Sequence, residues 1–242
     1  MDGVPKTIVI LHGWGSSSHS WLRAKALLEA KGYNALTPDL PGFGRMKPPL
    51  RSWRIDDYVE WVKDFLTDLE LDRVFLLGHS FGGRIAIKLA AKYPELFAGL
   101  ILVSAGGIKH KKTPWQAFLF YLAKIGGFLY IFSFFPFFRR LFYRFIVRRR
   151  DYFEADGVMR ETFKKVIEED LAPLLKEISV PTAIIWGEKD KMTPVSDGQL
   201  MNTEIKSSVL TIIPENGHAL NLDASEKLVA AIIEFLRRQG AG

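Results

Sequence analysis

The feature that most constrains the fold of this chain is a regular alternation of short apolar runs with helical segments. The runs place Val, Ile and Leu on consecutive positions, which is typical of strands that are buried on both faces of a parallel sheet. A helical segment follows most runs, as parallel strands require, because a crossover must return the chain to the start of the next strand. Six strands are predicted, at 7–11, 33–40, 73–78, 98–106, 182–187 and 208–213. The sequence therefore predicts an α/β fold with about six mostly parallel strands and helices on both faces.

A long interruption separates the fourth predicted strand from the fifth, and its composition differs from that of the rest of the chain. The region 108–173 is predicted to be a helical, aromatic-rich and basic insert, which leaves 1–107 and 174–242 as the core. Residues 109–150 contain ten Lys and Arg, no Asp or Glu, and 14 of the 31 aromatic residues. Because the net charge of the whole chain is +6, its excess positive charge lies in the insert. The core therefore lacks the basic face that is typical of a nucleic-acid-binding domain.

One serine stands at a junction where reactive side chains are expected. Residues 78–82 read G-H-S-F-G, directly after a predicted strand and before a predicted helix. In this context the pattern G-x-S-x-G predicts a sharp and strained turn, in which the two glycines leave room for the serine backbone. Such a turn projects the hydroxyl of Ser80 at the carboxyl edge of the sheet, where ligands of α/β folds bind. Ser80 is therefore predicted to be a nucleophile.

A serine hydroxyl needs a base to remove its proton, and the base is usually oriented by an acid. Asp190 follows the fifth predicted strand, and His218 follows the sixth. The order Ser, Asp, His and the position of each residue after a strand predict that the three meet at one edge of the sheet. Glu188 and Asp197 are the alternatives to Asp190 as the acid.

A nucleophilic attack on an acyl carbon also needs N–H donors for the developing oxyanion. The backbone N–H of Phe81, at the start of a predicted helix, is one candidate, and that of Trp14, in the loop after the first strand, is the other. Phe43 and His79 are candidates for contact with the substrate. For Phe43, packing within the core is an equally good interpretation.

Five short motifs together resemble the α/β-hydrolase superfamily of the serine esterase and lipase type. They are LHGWG, DLPGFG, GHSFGG, WGEKD and NGH, in the family's order and at similar spacings. The resemblance covers 7–107 and 180–238, and it implies that Ser80 is the nucleophile, His218 the general base and acid, and Asp190 the orienting acid. It also implies that no cofactor and no metal is needed. Only six residues precede Thr7, so the antiparallel hairpin that usually opens this fold is expected to be absent and the six strands to be all parallel.

The resemblance implies a serine carboxylic-ester hydrolase that forms an acyl-enzyme. The apolar insert favours small-molecule esters with apolar acyl chains, as in a carboxylesterase or a monoacylglycerol lipase. Thioesters, amides and the carbon–carbon bond of a 1,3-diketone are alternative substrates for the same residues. A hydrolase fold that serves as a non-catalytic ligand receptor is the alternative of a different class, although such proteins usually lack one member of the triad.

Residues 118–138 of the insert approach the length of a membrane span. A single crossing is excluded because it would separate Ser80 from His218 by a bilayer. A cap over the site is the simplest interpretation, and a cap that also rests on an anionic membrane is the second. The second is favoured by Arg140, Arg144 and Arg148, which share one helical face next to an apolar face. Stacking on nucleic acid is a third and weaker interpretation.

Two further features concern the compartment. The chain has no cysteine, which excludes disulfides, thiolate catalysis and cysteine-based metal sites. Its first residues run into a strand without the pattern of a signal peptide, so the cytoplasm is the expected location, with peripheral membrane contact as a variant. The sequence leaves the oligomeric state open.

Overall fold

The computed structural model describes residues 6–110 and 157–241, and the structural findings concern these two ranges. Their strands are β1 Thr7–Leu11, β2 Asn34–Leu36, β3 Val74–His79, β4 Phe97–Val103, β5 Thr182–Gly187 and β6 Ser208–Ile213. The strands form one sheet in the order β2-β1-β3-β4-β5-β6. Every neighbouring pair is parallel. The prediction of a six-stranded parallel α/β sheet is confirmed.

Helices cover both faces of this sheet because successive side chains of a strand point in opposite directions. Ile8, Ile10 and Leu77, for example, face one common core with Leu28 and Leu228. The described α-helices are Leu22–Glu29, Ile55–Asp68, Phe81–Lys92, Val158–Glu168, Val195–Glu204, Leu220–Asp223 and Ser225–Arg238. Short 3₁₀ helices lie at Ser18–Trp21, Pro94–Leu96 and Ala172–Glu177.

The depth of burial follows the order of the strands. All residues of β3 and β5 are buried, whereas the edge strands β2 and β6 keep exposed positions. Consecutive apolar residues in the central strands are thus explained, because helices cover both of their faces. The second strand is shorter than its prediction of 33–40, since Pro38 has no N–H to donate to a ladder.

The chain divides into two compact units. Met1–Lys109 with Gly157–Gly242 form one, and His110–Asp156 form the other. Nearly all of the second unit lies outside the described residues, as do Arg140, Arg144 and Arg148. Helix Val158–Glu168, which falls within the predicted limits 108–173 of the insert, belongs to the same unit as the sheet. The limits of the insert and its role as a cap stay predictions.

Polar contacts hold helix Val158–Glu168 against other segments of the sheet unit. Thr162 Oγ1 accepts a hydrogen bond from the Trp53 backbone N–H at 3.0 Å. Arg84 donates to the carbonyl oxygens of Val166 and Glu169, at 3.1 and 3.0 Å. None of the described helices combines the length and the apolar character that crossing a bilayer requires.

Candidate active site

The candidate site lies at the point where the order in which the chain adds strands to the sheet reverses. From β1 the chain continues to β2 on one side, and β3 lies on the other side of β1. The loops after β1 and β3 therefore diverge and open a crevice at the carboxyl ends of the strands, where ligands of open α/β sheets bind. Ser80 follows β3 directly, and Trp14 lies in the loop after β1.

The backbone of Ser80 is strained. Its φ of 52° lies in a region that residues other than glycine rarely adopt. Three hydrogen bonds hold this conformation: Ser80 N–H donates to Val103 O at 3.2 Å, and Ser80 O accepts from Gly83 N at 3.1 Å and Gly106 N at 2.8 Å. The predicted elbow is thus present, and the strain is held by the surrounding structure.

Glycine is required where the elbow meets its neighbours. A Cβ atom at Gly82 would collide with the backbone carbonyl of Leu11 at the end of β1. The close approach allows Gly82 N–H to donate to His12 O at 3.1 Å. The loop after β1 is thereby attached to the first turn of the helix Phe81–Lys92.

His218 and Asp190 form a hydrogen-bonded pair next to this elbow. His218 Nδ1 lies 2.8 Å from Asp190 Oδ2. The other carboxylate oxygen, Oδ1, accepts the backbone N–H groups of Met192 at 2.8 Å and Thr193 at 3.0 Å. Thr193 Oγ1 donates to Oδ2 at 2.9 Å. Thr193 was not predicted from the sequence. Its position three residues after Asp190 was a signal, because an aspartate side chain often accepts hydrogen bonds from the residues that follow it in a turn.

The environment keeps Asp190 ionised. Burial raises the pKa of Asp190, but the hydrogen bond and charge of His218 and the two backbone N–H groups outweigh it, so the pKa lies below its usual value. A carboxylate only accepts hydrogen bonds, so His218 Nδ1 must carry the proton of the shared bond. In neutral His218 this leaves Nε2 as an acceptor, which is what a base for Ser80 requires.

The structure pairs Asp190 with His218 and gives the alternative acid Glu188 a different partner. Glu188 is exposed and accepts the backbone N–H of Glu215 at 2.9 Å. Asp197 is buried within the helix Val195–Glu204. Among the described residues no hydrogen bond joins Ser80 Oγ to His218, and such bonds are often long until substrate is bound.

The two predicted oxyanion donors belong to residues near Ser80: Phe81 is the next residue, and Trp14 follows Gly13, where a Cβ atom would lie 3.5 Å from Ser80 Cβ. Within the described chain, the backbone N–H groups of Trp14 and Phe81 donate no hydrogen bond. The loop that contains Trp14 is ordered by the buried His12, whose Nδ1–H donates to Gly13 O at 2.8 Å and whose Nε2 accepts from Leu40 N at 3.0 Å. Both N–H groups are therefore available for an oxyanion.

A family model described as the alpha/beta hydrolase family matches residues 8–231. The chain belongs to the alpha/beta hydrolase family. The described residues of this alpha/beta hydrolase contain no cluster of three or more His, Asp or Glu side chains that could hold a metal ion.

The known proteins that this alpha/beta hydrolase resembles differ in substrate. A 2-hydroxy-6-oxononadienedioate/2-hydroxy-6-oxononatrienedioate hydrolase of Klebsiella pneumoniae is 29% identical over 256 residues, which cover 96% of this chain and 88% of that protein. The crystal structure of a membrane phospholipase A matches with a TM-score of 0.72 and 24% identity, over 98% of this chain and 80% of that one. A thermophilic esterase of Thermogutta terrifontis matches with a TM-score of 0.72 and 21% identity, over 98% and 92%.

Aromatic rings surround Trp14, in the loop after β1 of this hydrolase. The ring of Trp14 lies 4.8 Å from Phe43, 5.2 Å from Phe81 and 4.9 Å from Phe163, measured between centroids. Phe43 is buried in this cluster, so it has the packing role, while its contact with substrate stays a prediction. The sequence analysis missed Phe163, although the helical spacing of the buried Met159, Phe163 and Val166 was a signal that could have found it.

His79 lies beneath the site rather than in its mouth. Its side chain is only 7% exposed, and its Nε2 donates to the backbone carbonyl of His218 at 3.0 Å. The predicted contact of His79 with substrate stays a prediction.

Proposed function

We propose that this alpha/beta hydrolase cleaves carboxylic esters with apolar acyl groups through a serine acyl-enzyme. The observation that supports this most strongly is the pair formed by His218 and Asp190 at 2.8 Å beside the strained Ser80. A carboxylate held by backbone N–H groups, an imidazole with a free Nε2 and a hydroxyl on an elbow are the groups that nucleophilic acyl transfer needs.

In the proposed reaction Ser80 Oγ attacks the acyl carbon while its proton passes to His218 Nε2. Asp190 stabilises the imidazolium that forms, and the N–H groups of Trp14 and Phe81 bind the oxyanion. His218 then gives its proton to the leaving alcohol, and the acyl group stays on Ser80. A water molecule repeats the sequence, which releases the acid and restores the serine.

The surroundings favour an apolar acyl group. The rings of Trp14, Phe43, Phe81 and Phe163 form an apolar surface at the loop after β1. Arg84, on the helix that begins at the elbow, donates to two backbone carbonyls of the segment 158–169. Cleavage of a carbon–carbon bond is the second candidate, because a relative with 29% identity is named as a 2-hydroxy-6-oxononadienedioate/2-hydroxy-6-oxononatrienedioate hydrolase.

A panel of nitrophenyl esters from acetate to decanoate tests the substrate class. We expect kcat/KM to rise about threefold to fourfold with each added CH₂ until the pocket is filled, because each buried CH₂ contributes about 0.8 kcal/mol. A thioester and a 2-hydroxy-6-oxo-dienoate of matched length serve as comparisons. A kcat/KM for the 2-hydroxy-6-oxo-dienoate far above that of every ester would reassign the protein to carbon–carbon hydrolysis. A folded protein that hydrolyses none of these compounds would favour a non-catalytic ligand receptor.

We further propose, from the sequence of the insert, that this protein contacts anionic membranes. Each of Arg140, Arg144 and Arg148 would contribute about 1 kcal/mol near an anionic surface. A solvent-exposed surface with so many neighbouring Phe residues would exceed the few hundred Å² of apolar patch that monomers tolerate.

Liposome sedimentation tests the membrane contact. Binding to anionic vesicles is expected to exceed binding to neutral vesicles and to weaken as salt is added, because salt screens the charges. Substituting Arg140, Arg144 and Arg148 together by Gln should reduce binding and leave hydrolysis of a soluble ester unchanged. The same change at the exposed Arg23, Arg45 and Arg238 is the control of equal charge. Equal binding to both kinds of vesicle, or none, would contradict the proposal.

A further inference from the structure

The proposed acid and base belong to two loops that are joined to each other. Asp190 lies after β5 and His218 after β6. Glu188 N–H donates to Ile213 O at 3.1 Å, and Lys189 N–H donates to Asn216 O at 2.8 Å. With the bond between His218 and Asp190, these contacts make the two loops one unit. Ser80 instead follows β3, and β4 separates β3 from β5. Something must therefore set the position of the acid–base unit relative to the nucleophile.

Two side-chain hydrogen-bond contacts link this unit to the elbow and to the end of β4, and the rings of His79 and His218 also pack at 5.0 Å between centroids. One joins His79 Nε2 to His218 O at 3.0 Å, and His79 is the residue immediately before Ser80. The other is a 3.2 Å approach of Thr193 Oγ1 to Ser104 O, next to the end of β4. The Thr193 hydroxyl has a single proton. It donates this proton to Asp190 Oδ2, because that oxygen is nearer than Ser104 O and is charged. Among the described residues, the contacts made by His79 are thus the direct side-chain links between the base loop and the elbow.

The ring of His79 is held in one orientation and one protonation state. Burial, with the nearby His218, lowers the pKa of His79 to about 4, so the ring is neutral at physiological pH. A carbonyl oxygen only accepts, so the single ring proton sits on Nε2 and points at His218 O. Trp21 packs edge-on against the ring at 5.9 Å between centroids. On another side Nδ1 lies 3.2 Å from where a Cβ of Gly13 would be.

We propose that His79 is a positioning residue, whose Nε2–H holds the backbone of His218 at the distance from Ser80 at which the base can take the serine proton. It acts through His218 and does not touch the substrate. The proposal rests on the proposed serine-hydrolase function, because only in that chemistry does the separation of Ser80 from His218 set the rate.

A matched pair of substitutions separates the hydrogen bond from the packing. His79→Gln keeps an N–H donor at a similar reach. The methionine of His79→Met has nearly the same length and shape as that glutamine but has no N–H donor. We expect His79→Met to lower kcat for a nitrophenyl ester about 100-fold, because a misplacement of about 1 Å costs that much, with KM nearly unchanged. His79→Gln should stay within about fivefold of the parent protein. A raised KM with unchanged kcat would instead identify His79 as a substrate contact and overturn the proposal.

Hydrogen exchange tests the contact without reference to activity. Amides in the segment 214–219 should exchange about tenfold faster in His79→Met than in the parent protein, and at the parent rate in His79→Gln. If the parent protein hydrolyses no ester but the exchange pattern appears, the proposed function fails while the contact stands. Unchanged exchange in His79→Met, or equal effects of Met and Gln, would overturn the role of His79. Should His79→Met fail to fold, His79→Asn replaces it, because its shorter amide cannot reach His218 O.

Discussion

Replacing Ser80 with alanine is expected to lower kcat for every cleaved substrate by about 10⁶-fold, as loss of the nucleophile does in other serine triads. The same change should abolish covalent labelling by a fluorophosphonate probe, because the probe reacts only with an activated serine. The physical reason is that the strained elbow holds the hydroxyl of Ser80 near the proposed base and the proposed oxyanion donors. Mass spectrometry of the labelled protein should locate the adduct on Ser80.

Ser104 provides a matched control for this experiment. It also follows a central strand and has a positive φ, and its hydroxyl is buried without a hydrogen-bond partner among the described residues. Ser104→Ala therefore removes a nearby hydroxyl at little cost, and both labelling and turnover should persist. An adduct on a serine other than Ser80 would contradict the assignment of the nucleophile. A folded parent protein that no fluorophosphonate labels would favour a non-catalytic receptor.

The second large effect is expected at the acid. Asp190→Asn should lower kcat by about 10⁴-fold, the size seen when the acid of another triad is changed in this way. The backbone N–H groups of Met192 and Thr193 would hold the amide oxygen at the position of Oδ1. The amide NH₂ then takes the position of Oδ2 and donates to His218 Nδ1. This forces the ring proton onto Nε2, where it blocks acceptance of the proton from Ser80.

Glu188→Gln is the control for the acid, since it removes a carboxylate two residues away. Its side-chain oxygen can still accept the backbone N–H of Glu215, so the loop should keep its shape. Stopped-flow or steady-state assays of both variants on one soluble ester should show full activity for Glu188→Gln and near loss for Asp190→Asn. The opposite ranking would mean that the acid is Glu188.

The two candidate reactions, ester and carbon–carbon hydrolysis, share the nucleophile and the acid–base pair. The variants at Ser80 and Asp190 therefore test the mechanism without choosing between the substrates. The ester panel makes that choice, because it compares acyl chains and a 2-hydroxy-6-oxo-dienoate on the parent protein. The aromatic rings around Trp14 are the described feature on which the preference for esters depends.

Much of the fold could be predicted because its signals are local. The strands Thr182–Gly187 and Ser208–Ile213 were predicted with their observed bounds, since each is an apolar run between breaks in the pattern. The elbow at Ser80 was predicted from five residues, because the strain at Ser80 depends on the residue types of its immediate neighbours. The predicted end of the second strand was wrong, because pairing at the sheet edge stops before Pro38.

By itself the sequence determined the parallel sheet, the elbow and the order of the candidate triad, because periodicity, strain and chain order are properties of neighbouring residues. Only the tertiary structure decided which acid meets His218, because Asp190 and Glu188 lie two residues apart on the same loop and the turn of that loop directs only Asp190 inward. Tertiary structure also decided that His79 is buried against the base loop, 139 residues further along the chain. Contacts of this kind depend on how distant strands are ordered in the sheet, and no local sequence pattern predicts that order.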